Sequence, residues 1–205
     1  MNTIQHEAFV NLYNKDQKIF ESIFKDTNTL TKLSNKIIKA SKNFKNLAYP
    51  DNEKVKGDLF EIFAESFYLL LSSDNHVGVF DYKPAPANSD YGVDGFGIGM
   101  NELPLTVQVK FRSDPTTELK ESDIKQFALQ SIVEYGVDKD TSTNIVVFTN
   151  AKGLHWITET RVFSGRVTSF GGDKISKIVD NNTVFWKNLQ KLVEKTIQER
   201  YAISE

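Results

Sequence analysis

The chain has 205 residues, 40% of them hydrophobic, which is enough to bury a substantial core in one globular domain and too apolar for a disordered or fibrous protein. A formal charge of -2 excludes a globally basic surface, so a polyanionic partner has to be met by a local patch. The absence of cysteine excludes disulfides, cysteine-bound iron–sulfur clusters and cysteine-based zinc sites, and leaves metal chemistry to oxygen ligands.

Met1 to Glu7 lack the basic and apolar regions of a signal peptide. No apolar run approaches the roughly 20 residues of a membrane span, so the expectation is a cytoplasmic protein without a membrane partner. Residues 7 to 25 carry Phe9, Leu12, Tyr13, Phe20, Ile23 and Phe24 at helical spacing. Residues 30 to 47 do the same with Leu30, Leu33, Ile37, Ala40, Phe44 and Leu47. Two amphipathic helices are therefore expected, with Asp26 to Thr29 supplying capping side chains for the second and Tyr49-Pro50-Asp51-Asn52 ending it. A third helix from about Glu53 to Leu71 is apolar around most of its circumference, through Leu59, Phe60, Ile62, Phe63, Phe67, Leu69, Leu70 and Leu71, which predicts burial.

Next come a short strand near Val77 to Tyr82, a loop from Lys83 to Ser89 and a β-hairpin between Asp90 and Arg112 with its turn at Asn101-Glu102-Leu103-Pro104. In the hairpin's second strand Leu105, Val107, Val109 and Phe111 alternate with Thr106, Gln108, Lys110 and Arg112, the period-two pattern of a strand with one apolar face. Gln108 and Lys110 then point the same way, with Cα atoms roughly 6.6 Å apart. A helix from about Glu118 to Tyr135, a buried central strand at Asn144 to Thr149, a short strand at Arg166 to Phe170, a Gly171-Gly172 turn and a helix from about Thr183 to Arg200 complete the chain. The fold class expected is α/β. Residues 1–50 would form a helical extension packed on a core of residues 51–205.

Several residues in this frame have the chemistry of a site, each with a plainer alternative. Glu61 and Glu65 lie within about 40° on the third helix; they form either a solvent-facing acidic seam or a ligand pair. Asp94 stands between glycines in Gly92-Val93-Asp94-Gly95, which suits both an ordinary turn and a site where a bulky anion approaches the backbone. Gln108 and Lys110 fit either an exposed sheet face or a catalytic strand. His6, His76 and His155 show no metal-binding spacing and read as structural or exposed, and Trp156 and Trp186 read as core or edge packing.

Taken in order, Gly57 with Phe60-Glu61, Gly92-Val93-Asp94 and Gln108-Val109-Lys110 resemble the motifs of the PD-(D/E)XK (restriction-endonuclease-like) nuclease superfamily, in its Mrr-like Gln-x-Lys form. The resemblance covers about residues 53 to 150 and, more loosely, Ile178 to Leu192, which is similar to the end of nuclease domains attached to helicase-type restriction enzymes. It implies a mixed central β-sheet flanked by helices and a Mg2+-dependent deoxyribonuclease, with Mn2+ substituting. Asp94 would be the principal metal ligand, Glu61 a second and the Val109 carbonyl a third. Lys110 would orient the attacking water and stabilise developing charge. Gln108 departs from the commoner carboxylate; its side-chain oxygen still coordinates, but a neutral ligand weakens binding. The chemistry needs such a set because a divalent ion offsets phosphate charge and lowers the pKa of water, and magnesium prefers hard oxygen ligands.

For DNA, Thr31 to Lys56 supply seven lysines against Asp51 and Glu53. Lys32, Lys36 and Lys39 share a helix face, which is either a solvated surface or a phosphate-holding patch together with Arg112, Lys120 and Lys125. No dinucleotide or phosphate-binding loop is present. The sequence leaves open a DNA-binding module that keeps the fold without the activity, and an interaction scaffold. Also open are restriction against recombination or repair, attachment to a helicase or translocase domain or subunit, and a homodimer.

Overall fold

The computed structural model describes residues 3–46, 51–86, 92–137, 144–162 and 164–201. Five strands form one mixed sheet in the order β1-β2-β3-β4-β5. β1 (Val79–Pro84), β2 (Gly95–Gly99) and β3 (Pro104–Lys110) make an antiparallel meander, and β4 (Ile145–Thr149) and β5 (Val167–Phe170) add in parallel. The protein is thus α/β, a mixed sheet flanked by helices and preceded by further helices.

The strand patterns explain the layering. Leu105, Val107 and Val109 of β3 and Val146 and Phe148 of β4 face one core, while Ile145 and Val147 face a second. β4 is therefore buried on both faces, as its Ile-Val-Val-Phe-Thr run predicts for a central parallel strand. The first core is filled by α4 (Asn52–Leu70), whose Phe60, Phe63 and Phe67 pack on Phe148, and by α7 (Thr183–Tyr201) through Phe185 and Trp186. The second core lies under α5 (Glu121–Val133), through Ile124, Phe127 and Ala128. The N-terminal helices join the first core rather than forming one of their own, with Phe9, Phe20 and Phe44 fully buried in it.

Three elements differ from the sequence expectation. The helix expected over residues 7 to 25 is two, α1 (Glu7–Lys15) and α2 (Gln17–Phe24), because Asp16 adopts an extended conformation and its Oδ1 accepts from the Ile19 amide at 2.8 Å. An internal N-cap outweighs the continuous apolar period. The expected Gly171-Gly172 turn instead opens α6 (Gly172–Val179). A Cβ at Gly172 would collide with the Asn150 carbonyl, so glycine lets this helix sit directly on the loop after β4, with Ile175 and Val179 in the core. β1 begins and ends two residues later than expected, with a bulge between Phe80 and Lys83 and Asp81 at φ 49°.

α3 (Leu30–Asn46) starts with the Leu30 amide on Asp180 and the Lys32 amide on Thr29 Oγ1. The helix stop expected at Tyr49-Pro50 and the end of the Lys83 to Ser89 loop lie outside the described residues. Asp51 caps α4 through the Glu53 amide. No described helix is long and apolar enough to cross a membrane.

Candidate metal and nuclease site

The carboxyl end of β3 is held in register by its neighbours. Asn150, after β4, accepts the Arg112 amide at 2.7 Å and donates to the Arg112 carbonyl and to Ser34 Oγ of α3. On β2's side Asp94 donates its amide to Val107, and its Oδ2 accepts the Val109 amide at 2.7 Å. This second bond fixes one carboxylate oxygen and leaves Oδ1 for a ligand. Gly95 is required here, because a Cβ would overlap the Tyr82 ring, whose hydroxyl approaches the Asp94 carbonyl.

Glu61, Gly92 and Asp94 stand where two hollows meet. One, about 290 Å³, is lined also by Gln108, Val109, Lys110 and Arg112. The other, about 300 Å³, is lined also by His6, Lys54 and Asp58. The structure therefore brings together Glu61 from α4, Asp94 from the entry to β2, and Gln108, Val109 and Lys110 from β3.

Gln108 is 5% exposed, and its Oε1 is buried without a hydrogen-bond partner. An unsatisfied buried acceptor costs about 1–3 kcal/mol, so it needs an explanation. A cation or an ordered water bound beside it would supply one. Gly92, at φ 72°, makes room: a Cβ there would lie 3.2 Å from Gln108 Nε2. Lys110 is half-buried and has no ion pair among the described residues.

The electrostatics are those of buried carboxyl groups crowded together. Burial first, and the neighbouring Glu61 second, push the Asp94 carboxyl up to about 8, against the Val109 hydrogen bond and the Lys110 charge. Burial also raises Asp58 and Glu65. For His6, burial disfavours the charged ring but is outweighed by the Glu61 hydrogen bond and the charges of Glu61, Glu65 and Asp58, so its pKa is raised. Among the described residues no group of three or more His, Cys, Asp or Glu is arranged to hold a metal ion. A set built on Asp94 and Glu61 would be completed by the Gln108 amide oxygen and the Val109 carbonyl, and both the donor chemistry and the orphaned Gln108 oxygen fit a hard divalent ion.

The acidic seam on α4 resolves into two roles. Glu61 lines the site, whereas Glu65 is 1% exposed and accepts the Gln5 and His6 amides at 2.6 and 2.9 Å. His6 is the residue the sequence did not single out: its Nε2 lies 2.7 Å from Glu61 Oε2. No local signal marks it, since the two residues are 55 positions apart.

The basic residues scatter more widely. Lys32 and Lys39 are exposed on α3, but the Lys36 ammonium is bound to the Ser22 and Lys25 carbonyls at the end of α2. Lys32, Lys36 and Lys39 line neither hollow. Arg112 pairs with Asp123 at 2.6 Å, Lys120 precedes α5 with its side chain exposed, and Lys125 lies 3.9 Å from Glu121. Lys56, buried between Glu53 and Ser113, lines the hollow beside Lys110.

Trp186 is buried and donates to the Val179 carbonyl, as expected of a core residue. Trp156 is not core: it is 59% exposed, with the Arg161 guanidinium 5.9 Å from its ring centroid, beside a single π-helical turn (Thr158–Val162).

No protein-family model matches the chain, and no curated protein matches it.

Proposed function

We propose that the protein is a Mg2+-dependent endonuclease of the PD-(D/E)XK type that hydrolyses DNA phosphodiester bonds, with Mn2+ able to replace Mg2+. One observation carries the reading. Glu61, Asp94, Gln108 and Lys110 line a single hollow, and the Gln108 side-chain oxygen is buried without a hydrogen-bond partner.

Bound there, the ion would supply charge neutralisation at the phosphate and a lowered pKa for the attacking water. The rest falls to the chain. Asp94, with Oδ2 anchored by the Val109 amide of β3, would offer Oδ1 to the ion. Glu61 offers a second carboxylate from a buried helix, and Gln108 offers a neutral oxygen. The Lys110 ammonium, which has no ion pair among the described residues, would orient the nucleophile and stabilise charge developing on the phosphate. Lys32, Lys39 and Lys120 would hold the backbone without reading sequence.

The neutral Gln108 also favours a second reading, a DNA-binding module that keeps the site's shape without its chemistry. Metal separates the two, because an inert module need not bind Mn2+ or Mg2+ at Asp94. The test is cleavage of supercoiled, linear, single-stranded and branched DNA with either ion, with Asp94→Ala as control. Metal-dependent cleavage by the wild type and none by the variant is expected; equal cleavage by both refutes the reading.

A further inference from the structure

Residues 3 to 6 run across α4 and α7 and are tied down over their length. The Ile4 amide donates to Thr196 Oγ1, Arg200 donates to the Ile4 carbonyl at 2.8 Å, and the Gln5 and His6 amides donate to the two oxygens of buried Glu65. The strap delivers one side chain to the site. His6 caps α1 by accepting the Ala8 amide on Nδ1 at 3.2 Å, so the ring proton sits on Nε2 and is donated to Glu61 Oε2 at 2.7 Å. Both ring nitrogens are engaged and the tautomer is fixed.

The consequence for Glu61 is directional. His6 lines only the hollow on the far side from Lys110, while Gly57 lines only the Lys110 side, and the site of a Cβ on Gly57 is 3.9 Å from Glu61 Oε1. With Oε2 held by His6, Oε1 is turned toward the hollow that contains Gln108 and Lys110. Resting on the metal-site reading above, we propose that His6 is a positioning residue. Its imidazole holds Glu61 so that Oε1 faces the metal, which makes the N-terminal segment part of the catalytic unit and not a separate appendage.

Helix capping and Glu61 positioning are separable by substitution. Asparagine is a good N-cap but too short to reach Glu61; glutamine is a poor cap but long enough to donate to Oε2. Three quantities are measured on the full chain: Mn2+ affinity by calorimetry, the Mg2+ concentration giving half-maximal DNA cleavage, and the thermal midpoint in EDTA.

His6→Asn should keep the thermal midpoint near wild type while weakening Mn2+ binding and raising the Mg2+ requirement about 10- to 100-fold, as loss of a ligand's outer partner does. His6→Gln should show the reverse, a lower midpoint with Mn2+ affinity within a few-fold of wild type. In a Glu61→Ala background, His6→Asn should change Mn2+ affinity no further.

Unchanged Mn2+ affinity and Mg2+ requirement in His6→Asn would overturn the proposal and leave His6 a helix cap. A full additional loss in the Glu61→Ala background would overturn it too, because His6 would then act independently of Glu61. A wild type that binds no Mn2+ and cuts no DNA is a different result, since it removes the metal-site reading itself.

Discussion

Asp94→Asn is expected to stabilise the metal-free protein while abolishing its metal binding. The Asp94 carboxyl is pushed up to about 8, by burial first and by Glu61 second. A carboxyl whose folded pKa lies above its unfolded value contributes most stability when protonated. That contribution is complete below pH ~4 and is lost as pH rises toward about 8. The slope cannot exceed ~1.4 kcal/mol per pH unit for one proton.

Asparagine keeps an oxygen for the Val109 amide and carries no charge at any pH, so the variant lacks this loss. Asp94 is half-buried, so solvent reduces both the desolvation that raises its pKa first and the repulsion from Glu61 that raises it second. The expected gain at pH 8.5 in EDTA is accordingly about 2 kcal/mol, well below the limit set by the slope. Glu65, Asp58 and His6 also have raised pKa values, but they are common to both proteins and largely cancel in the difference. Urea unfolding from pH 4.5 to 8.5 in EDTA, repeated with Mg2+, measures it. The two curves should meet near pH 4.5 and separate upward, and Mg2+ should raise the wild-type curve alone. Parallel curves at all pH values, or equal stabilisation of both proteins by Mg2+, would refute the idea that charge at Asp94 is held against its own electrostatics.

Other consequences are simpler to check. Gln108→Glu should tighten Mn2+ binding about tenfold by calorimetry and lower metal-free stability, since it adds a third carboxylate; unchanged affinity would remove Gln108 from the ligand set. Lys32→Ala and Lys39→Ala should each weaken DNA binding and reduce its salt dependence by about one unit of slope. Lys36→Ala should instead leave DNA affinity unchanged and cost about 1 kcal/mol of stability, because its ammonium is spent on the end of α2; a DNA-binding loss as large as that of Lys32→Ala would contradict this division. Glu65→Leu should cost about 2–4 kcal/mol in urea unfolding by orphaning the Gln5 and His6 amides, and a neutral result would mean that the N-terminal strap is dispensable.

What could be read in the sequence was what local pattern encodes. The alternation through Leu105 to Lys110 sets which residues of β3 share a face, and the apolar circumference of α4 fixes its burial; the grouping of Glu61 and Asp94 with Gln108 and Lys110 came from the order of their motifs and not from periodicity. The break at Asp16 was not legible, because one side-chain cap overrides an apolar period that runs through it. α6 was hidden by a Gly-Gly pair whose role is close packing on the loop after β4, Gly171 on the Lys152 carbonyl and Gly172 on the Asn150 carbonyl, rather than turning. His6 and the burial of Glu65 were invisible for a different reason: both depend on contacts between segments about 55 to 60 residues apart. Trp156 is exposed beside an irregular π-helical turn that no periodicity announces.

Lys110 offers the most direct test of catalysis as distinct from binding. Supercoiled plasmid is incubated with wild type and Lys110→Ala in Mg2+ and in EDTA, with Mn2+ affinity measured alongside. Cleavage by the wild type in Mg2+ only, at least a hundredfold loss in Lys110→Ala, and Mn2+ affinity retained by the variant are the predicted results. Intact plasmid with the wild type under all metal conditions, or undiminished cleavage by Lys110→Ala, would contradict a nuclease centred on this site.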